Sequence, residues 1–211
     1  VTELLRQQSG FFGHAAAVER LLAAERAWDG TPFREFSRAQ GAEGGIDCVG
    51  YVEELFIAAG VVRRGDFEFA RTMADYQSSR LELRILRMLR GEVADDPQSL
   101  RLAEIFAEVE LPLTDKAQCI LAAPDASDGE RKAALKDHAT QNLDPAFFLP
   151  GDLLVLRRGG EMHLPVSLGG RKITHCARPL GVQRANIHDP TYSENLDAVF
   201  RARAIASPAR T

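Results

Sequence analysis

Gly45-Ile46-Asp47-Cys48-Val49-Gly50-Tyr51-Val52 places one cysteine directly behind an aspartate that can cap a helix, at the first turn of a strongly apolar run. Leu55, Phe56, Ile57 and Ala58 carry the run on to Gly60, with charge only at Glu53 and Glu54. A helix apolar on most sides is a buried, central one, so this stretch predicts the helix around which the chain is built. Its first turn also carries chemistry. A helix N-terminus presents N–H groups without intrahelical partners and a partial positive charge. In such a place a cysteine pKa can fall from about 8.5 to about 3.5–7.5, which makes the thiolate a ready nucleophile.

Far downstream, His163-Leu164-Pro165-Val166-Ser167-Leu168-Gly169-Gly170-Arg171-Lys172-Ile173-Thr174-His175 supplies two histidines across an apparent β-hairpin. Gly169-Gly170 is the turn signal, since two-residue hairpin loops need positive φ at their centre. Directly opposed residues on neighbouring strands lie about 4.5–5.5 Å apart at Cβ, a gap that two imidazoles bridge. Pro165 is the one residue here that sits poorly in a central strand. A Cys, a His and a polar group to orient that His are the parts of a thiol hydrolase. Two blander readings stand beside this one. A buried Cys also serves as core filler, and Cys48, His163 and His175 are possible zinc ligands lacking an evident fourth. Cys119 reads as core, as does Cys176, which follows His175 on a strand and so points to the opposite face. His14, His138 and His188 read as solvated, and Asp152 as the cap of a turn.

The remaining patterns divide the chain. Val18, Leu21, Leu22 and Trp28 give residues 14–28 the period of an amphipathic helix, stopped by Asp29-Gly30-Thr31-Pro32. Residues 66–149 read as a helical block. Leu81, Ile85, Met88 and Leu89 mark one helix, and Leu102, Ile105, Phe106 and Val109 a second. Thr114 caps a third, and Ser127 with Glu130 forms a capping box for a fourth. After Pro150-Gly151 the period becomes that of strands: Asp152 to Leu156, the two arms of the hairpin, 181–187 and 198–205. The expected fold is α+β, one domain over residues 1–211 with a helical insertion at 66–149.

A net charge of −4 over 211 residues gives no reason to expect a nucleic-acid partner, and the arginines from Arg201 to Arg210 read as a solvated strand and terminus. No apolar run approaches the roughly 18 residues of a membrane span. The first residues, Val-Thr-Glu-Leu-Leu-Arg, lack the basic-then-apolar order of a secretory signal. Residence in the cytoplasm, or delivery to the cell wall by a phage tail, lysis or a secretion machine, all fit. Three cysteines without a CxxC pair argue against a disulfide framework.

Four segments together resemble the NlpC-type cell-wall cysteine peptidases, a papain-like family, with the flavour of its phage-associated branch. They are Trp28-Asp29-Gly30-Thr31-Pro32-Phe33, Asp47-Cys48-Val49-Gly50-Tyr51-Val52, Pro150-Gly151-Asp152-Leu153 and the His163–His175 hairpin. The resemblance covers roughly residues 15–60 and 148–205 and leaves the helical block unmatched. It implies a nucleophile helix packed on an antiparallel sheet, a Cys48–His163–His175 triad and a peptidoglycan stem peptide as substrate. It also implies Asp47, Val49 and Phe33 beside the substrate, no metal and no cofactor. Where the family carries a Tyr in the entry loop and a Ser after the nucleophile, this chain has Phe33 or Phe36 and Val49. Two other readings fit the residues: an amidase or acyltransferase acting on another small acyl substrate, and a catalytically silent phage-tail or assembly protein. The silent protein would bind a protein partner through the helical block.

Overall fold

The apolar run after Cys48 forms the expected helix, and two local devices fix its ends. In the computed structural model, which describes residues 10–67, 80–93, 96–134, 144–158 and 161–203, helix α1 (Ala15–Trp28) precedes helix α2 (Cys48–Ala59). Asp47 is the N-cap of α2, its carboxylate accepting from the Gly50 N–H at 2.7 Å. Gly60 ends the helix at φ +88°, donating to the Phe56 and Ile57 carbonyls. A residue with a Cβ would be strained at that angle.

Buried Ala17, Leu21 and Trp28 of α1 join Val52, Leu55, Phe56 and Ala59 of α2 in the main core. Both helices also bury a glutamate, and arginine compensates each. Glu25 of α1 receives Arg184 at 2.6 and 2.7 Å. Glu53 of α2 pairs with Arg38 and accepts from the Gly65 N–H at 2.6 Å.

The strands, all antiparallel, are β1 (Arg38–Ala39) and β2 (Gly45–Ile46), which form a small ribbon, and β3 (Phe106–Val109), β4 (Leu153–Arg158), β5 (Glu161–His163), β6 (Val166–Gly169), β7 (Lys172–Ala177), β8 (Gly181–Asn186) and β9 (Leu196–Ala202). The main sheet runs β3-β9-β4-β6-β7-β8, with β5 paired to β4. Strand alternation explains the unbroken apolar run at 153–156. Leu153 and Val155 face the core shared with α1 and α2, while Leu154 and Leu156 join Phe148, Ile173, Ile187 and Val199 on the far face. A strand buried on both faces has no polar side to show. Gly151 precedes it at φ +80° with the Phe12 ring where a Cβ would stand, so only glycine fits. At the β6–β7 hairpin Gly169 and Gly170 both have positive φ, but Gly169 is the last residue of β6, opposite Lys172, so the two-residue loop is Gly170-Arg171, one residue later than the turn signal placed it.

The block at 66–149 supplies α3 (Arg80–Leu89), α4 (Pro97–Ile105), α5 (Asp115–Ala122) and α6 (Asp128–Ala134). The Thr114 cap on the Ala117 N–H and the Ser127–Glu130 capping box are both present. The helix expected to run through Val109 stops at Ile105. Phe106–Val109 turns extended and pairs with β9, Phe106 opposite Ala202 and Val109 opposite Val199. The apolar spacing at 102, 105, 106 and 109 fits a helix, but the open edge of β9 offers these backbone groups a ladder. Ile85, Met88, Leu89, Leu102, Ile105 and Phe106 all enter the main core. Cys119, expected in the core, is exposed, because α5 buries only Ala117. Among the described residues no helix is long and apolar enough to cross a membrane.

Arg201, expected to be solvated, instead makes a two-pronged ion pair with Asp152, at 2.8 Å to each carboxylate oxygen. Asp152 also accepts from the Leu149 N–H, so it closes the turn and ties β4 to β9. Burial raises its pKa and the guanidinium counters that pull. Removing one partner of a buried pair strands the other charge. Arg201→Leu should therefore cost about 3 kcal/mol of unfolding free energy in urea; a loss below about 1 kcal/mol would show the pair to be dispensable.

Candidate active site

The start of α2 packs against β7, the strand that carries His175. The Asp47 carboxylate, fully buried, accepts from the Gly50 N–H with one oxygen and from the Phe36 N–H at 3.1 Å with the other. It therefore binds the entry loop to the helix that begins with Cys48. Phe33 bridges Ile46 in parallel, which lays residues 32–34 alongside the approach to Cys48. Three residues into α2, the Tyr51 hydroxyl bonds Thr174 Oγ1 at 2.7 Å. Before the helix begins, the Ile46 carbonyl accepts from Cys176 Sγ at 3.1 Å. Those two contacts grip β7 on either side of His175. Burial raises the Cys176 thiol to about 12, with the charge of nearby Cys48 a further cause, so Cys176 is a structural thiol.

His175 itself is buried, and by strand alternation it projects to the face of Ile173. His163 reaches the same face from β5, where it lies opposite Leu156 of β4. Their rings meet edge to face at 4.7 Å between centroids, with His163 Nε2 2.6 Å from His175 Nδ1. The sequence expectation of neighbouring histidines holds, but by a different route from a simple hairpin. The first arm is two strands, β5 on β4 and β6 on β7. Leu164 and Pro165 stand between them, and the Pro165 carbonyl accepts from the Leu154 N–H at 2.9 Å. Proline is tolerated because the ladder is broken where its N–H would be needed.

Burial depresses both histidines. His163 falls to about 3, with the proximity of His175 a second cause, and His175 falls to about 4. Both rings are thus neutral at pH 7. Tyr192, which the sequence reading passed over, completes the group: its hydroxyl lies 3.2 Å from His175 Nε2. It sits on the short helix α7 (Pro190–Ser193), capped by Asp189. Asp189-Pro190 is a cap followed by N1 proline, the local signal that could have found it.

The sequence-derived candidates divide accordingly. His163 and His175 are joined directly, whereas the contacts of the helix that starts at Cys48 reach β7 through Thr174 and Cys176, whose side chains lie on the opposite face from His175. Asp47 and Val49, expected at the substrate, are both buried, one as the helix cap and one in the core. Phe33 is half-buried under the Arg178 guanidinium, 5.0 Å from its ring centre. Phe36 is 42% exposed at φ +58°, an unfavourable backbone for an aromatic that the Asp47 bond helps to hold. Of the histidines read as solvated, His14 is exposed and His138 lies outside the described residues. His188 departs from the expectation, with a buried Nε2 that meets no hydrogen-bond partner. Among the described residues no three His, Cys, Asp or Glu side chains are arranged to hold a metal ion.

No protein-family model matches the sequence, and a search of curated proteins finds no match. Among solved structures the chain is similar to one described as similar to a lipoprotein of the NLP/P60 family, from Staphylococcus aureus subsp. aureus Mu50. That likeness has a TM-score of 0.41 at 13% identity and covers 90% of this chain and 42% of the other. The chain therefore spans less than half the length of that protein.

The neutral histidines carry a stability consequence. In the unfolded chain each binds a proton as pH falls through about 6.5, whereas the folded sites resist until about 4 and about 3. Between those limits the unfolded state holds more protons, so the fold weakens as pH drops. His175→Asn should remove roughly 2 kcal/mol of the stability lost between pH 7 and pH 5, measured by urea unfolding at each pH. An unchanged loss would mean that His175 is not held neutral.

Proposed function

We propose that this chain is a papain-like cysteine hydrolase of the NlpC type, cutting an amide bond in peptidoglycan stem peptides with Cys48, His163 and His175. The observation that carries the reading is the direct His163–His175 bond, on a sheet gripped by the helix that starts at Cys48. With Nε2 of His163 engaged by His175, Nδ1 is the nitrogen left to serve the thiol. A neutral His163 has a lone pair to take the Cys48 proton, and the burial that lowers it to about 3 makes it a weaker base than a free imidazole.

In the first half-reaction the thiol proton passes to His163 Nδ1 and sulfur attacks the carbonyl carbon. The oxyanion is received by backbone N–H groups at the helix start, that of Cys48 among them. The imidazolium then protonates the leaving amine as the C–N bond breaks, leaving a thioester. In the second, His163 removes a proton from water, the hydroxide attacks, and the C–S bond breaks to return the thiol. His175 keeps His163 in the productive orientation throughout. No step needs a cofactor. The substrate class comes from the sequence resemblance, with Phe33 and exposed Phe36 as apolar contacts in place of family hydroxyls. Residues 66–149 are an insertion within this single domain and the surface on which a protein partner would sit.

Incubation of the purified chain with muropeptides, followed by mass spectrometry, should show cleavage of the peptide stem. Cys48→Ala should reduce it by about 10⁴-fold or more and His163→Ala nearly as much, because the group acts as a unit; His175→Asn should retain measurable activity. Iodoacetamide should label Cys48 ahead of exposed Cys119 and buried Cys176. Cleavage of another acyl substrate with Cys48 still reactive would move the chain to the amidase reading. Labelling slowest at Cys48, with no hydrolysis, would make it a silent domain.

A further inference from the structure

The His163–His175 contact is a bond between two neutral imidazoles, and its chemistry is incomplete without a third partner. A neutral imidazole carries one proton on its two nitrogens. The bridge between His163 Nε2 and His175 Nδ1 therefore holds a single proton, and two arrangements satisfy it. In the first, His163 donates from Nε2, His175 accepts at Nδ1, and the proton of His175 sits on Nε2. His163 Nδ1 is then a lone pair, and the ring can act as a base. In the second, His175 donates from Nδ1, the proton of His163 moves to Nδ1, and the base has no lone pair to offer there. The outer nitrogen of His175 differs between them, a donor in the first and an acceptor in the second, and it faces the Tyr192 hydroxyl, which can take either part, at 3.2 Å.

We propose that Tyr192 is a positioning residue whose oxygen accepts the His175 Nε2–H, holding His175 as the Nε2–H tautomer and His163 with its lone pair on Nδ1. The role in catalysis and the choice of this tautomer pair both rest on the hydrolase reading. The same polarity is required once His163 is protonated. An imidazolium can only donate from Nε2, so His175 must accept at Nδ1 and pass its own proton outward to an acceptor. His175 is 2% exposed, and a buried N–H without an acceptor is costly.

Several contacts hold Tyr192 in place independently of its hydroxyl. Asp189 Oδ1 accepts from the Thr191 N–H at 2.9 Å, and the Asp189 carbonyl accepts from the Tyr192 N–H at 2.9 Å and from Ser193 Oγ at 3.3 Å. The phenol ring stands edge to face against His175 at 5.4 Å and packs on the far-face core. Tyr192→Phe therefore removes the oxygen while leaving the ring, which isolates its effect.

The test is imidazole ¹⁵N–¹H correlation spectroscopy on the full ¹⁵N-labelled chain at pH 7, which distinguishes protonated from lone-pair nitrogens. Wild type should show both His163 and His175 as Nε2–H tautomers. Tyr192→Phe should shift both toward Nδ1–H and, with stem-peptide substrate, lower kcat about tenfold with KM unchanged. Finding His175 as Nδ1–H in wild type overturns the proposal, with no variant needed. So does a folded Tyr192→Phe chain whose tautomers are unchanged. The spectra require no turnover. An inactive chain showing the expected tautomers and their shift sinks the hydrolase reading and leaves Tyr192's hold on the histidine pair intact.

Discussion

One buried carboxylate organises the site. Asp47 accepts from the Gly50 N–H inside α2 and from the Phe36 N–H in the entry loop. It thereby fixes where the helix starts, and Cys48 is the first residue of that helix. Had the cap fallen one residue later, the thiol would leave the first turn and lose the field of the helix terminus. The same bond sets the path of the loop, which runs beside Ile46 through the Phe33 bridge. Ile46 in turn accepts from Cys176, next to His175. A short chain of contacts thus links the helix of Cys48, the loop and the strand of His175.

A second constraint is the handling of buried charge. Glu25, Glu53 and Asp152 are all at or near zero exposure, and each is met by an arginine distant in sequence: Arg184, Arg38 and Arg201. Each pair joins elements that the apolar core alone would leave free to slide. Arg184 ties β8 to α1, Arg38 ties the small ribbon to α2, and Arg201 ties β9 to the turn before β4. Removing an ion from water is costly, so these pairs act less as sources of stability than as fixings of register.

Much of this was legible in the chain. The α2 boundaries followed from Asp47 and Gly60, the β6–β7 turn to within one residue from its glycines, and the Ser127–Glu130 box from its spacing. These are local signals whose physics is complete within a few residues. What was not legible depended on partners far away. Phe106–Val109 became a strand because β9 lay open beside it, a fact that no window around residue 106 contains. Arg201 looked solvated because Asp152 lies 49 residues earlier. Tyr192 carried no motif of its own; only the fold brings it to His175. Cys119 shows the converse error, since an apolar neighbourhood in sequence does not fix which side of a short helix faces inward.

The order of the strands bears on how the protein is made. β9 lies between β3 and β4, yet it is the last of them to leave the ribosome. The edges of β3 and β4 therefore stay unpaired there until β9 has been made. His163 follows Cys48 by about 115 residues, which at translation rates of about 5–20 residues per second is on the order of ten seconds. During that interval the nascent chain carries Cys48 without either histidine of the pair. Until residues 196–202 emerge, the facing edges of β3 and β4 lie open to pairing with another strand, and β9 is the piece that closes them.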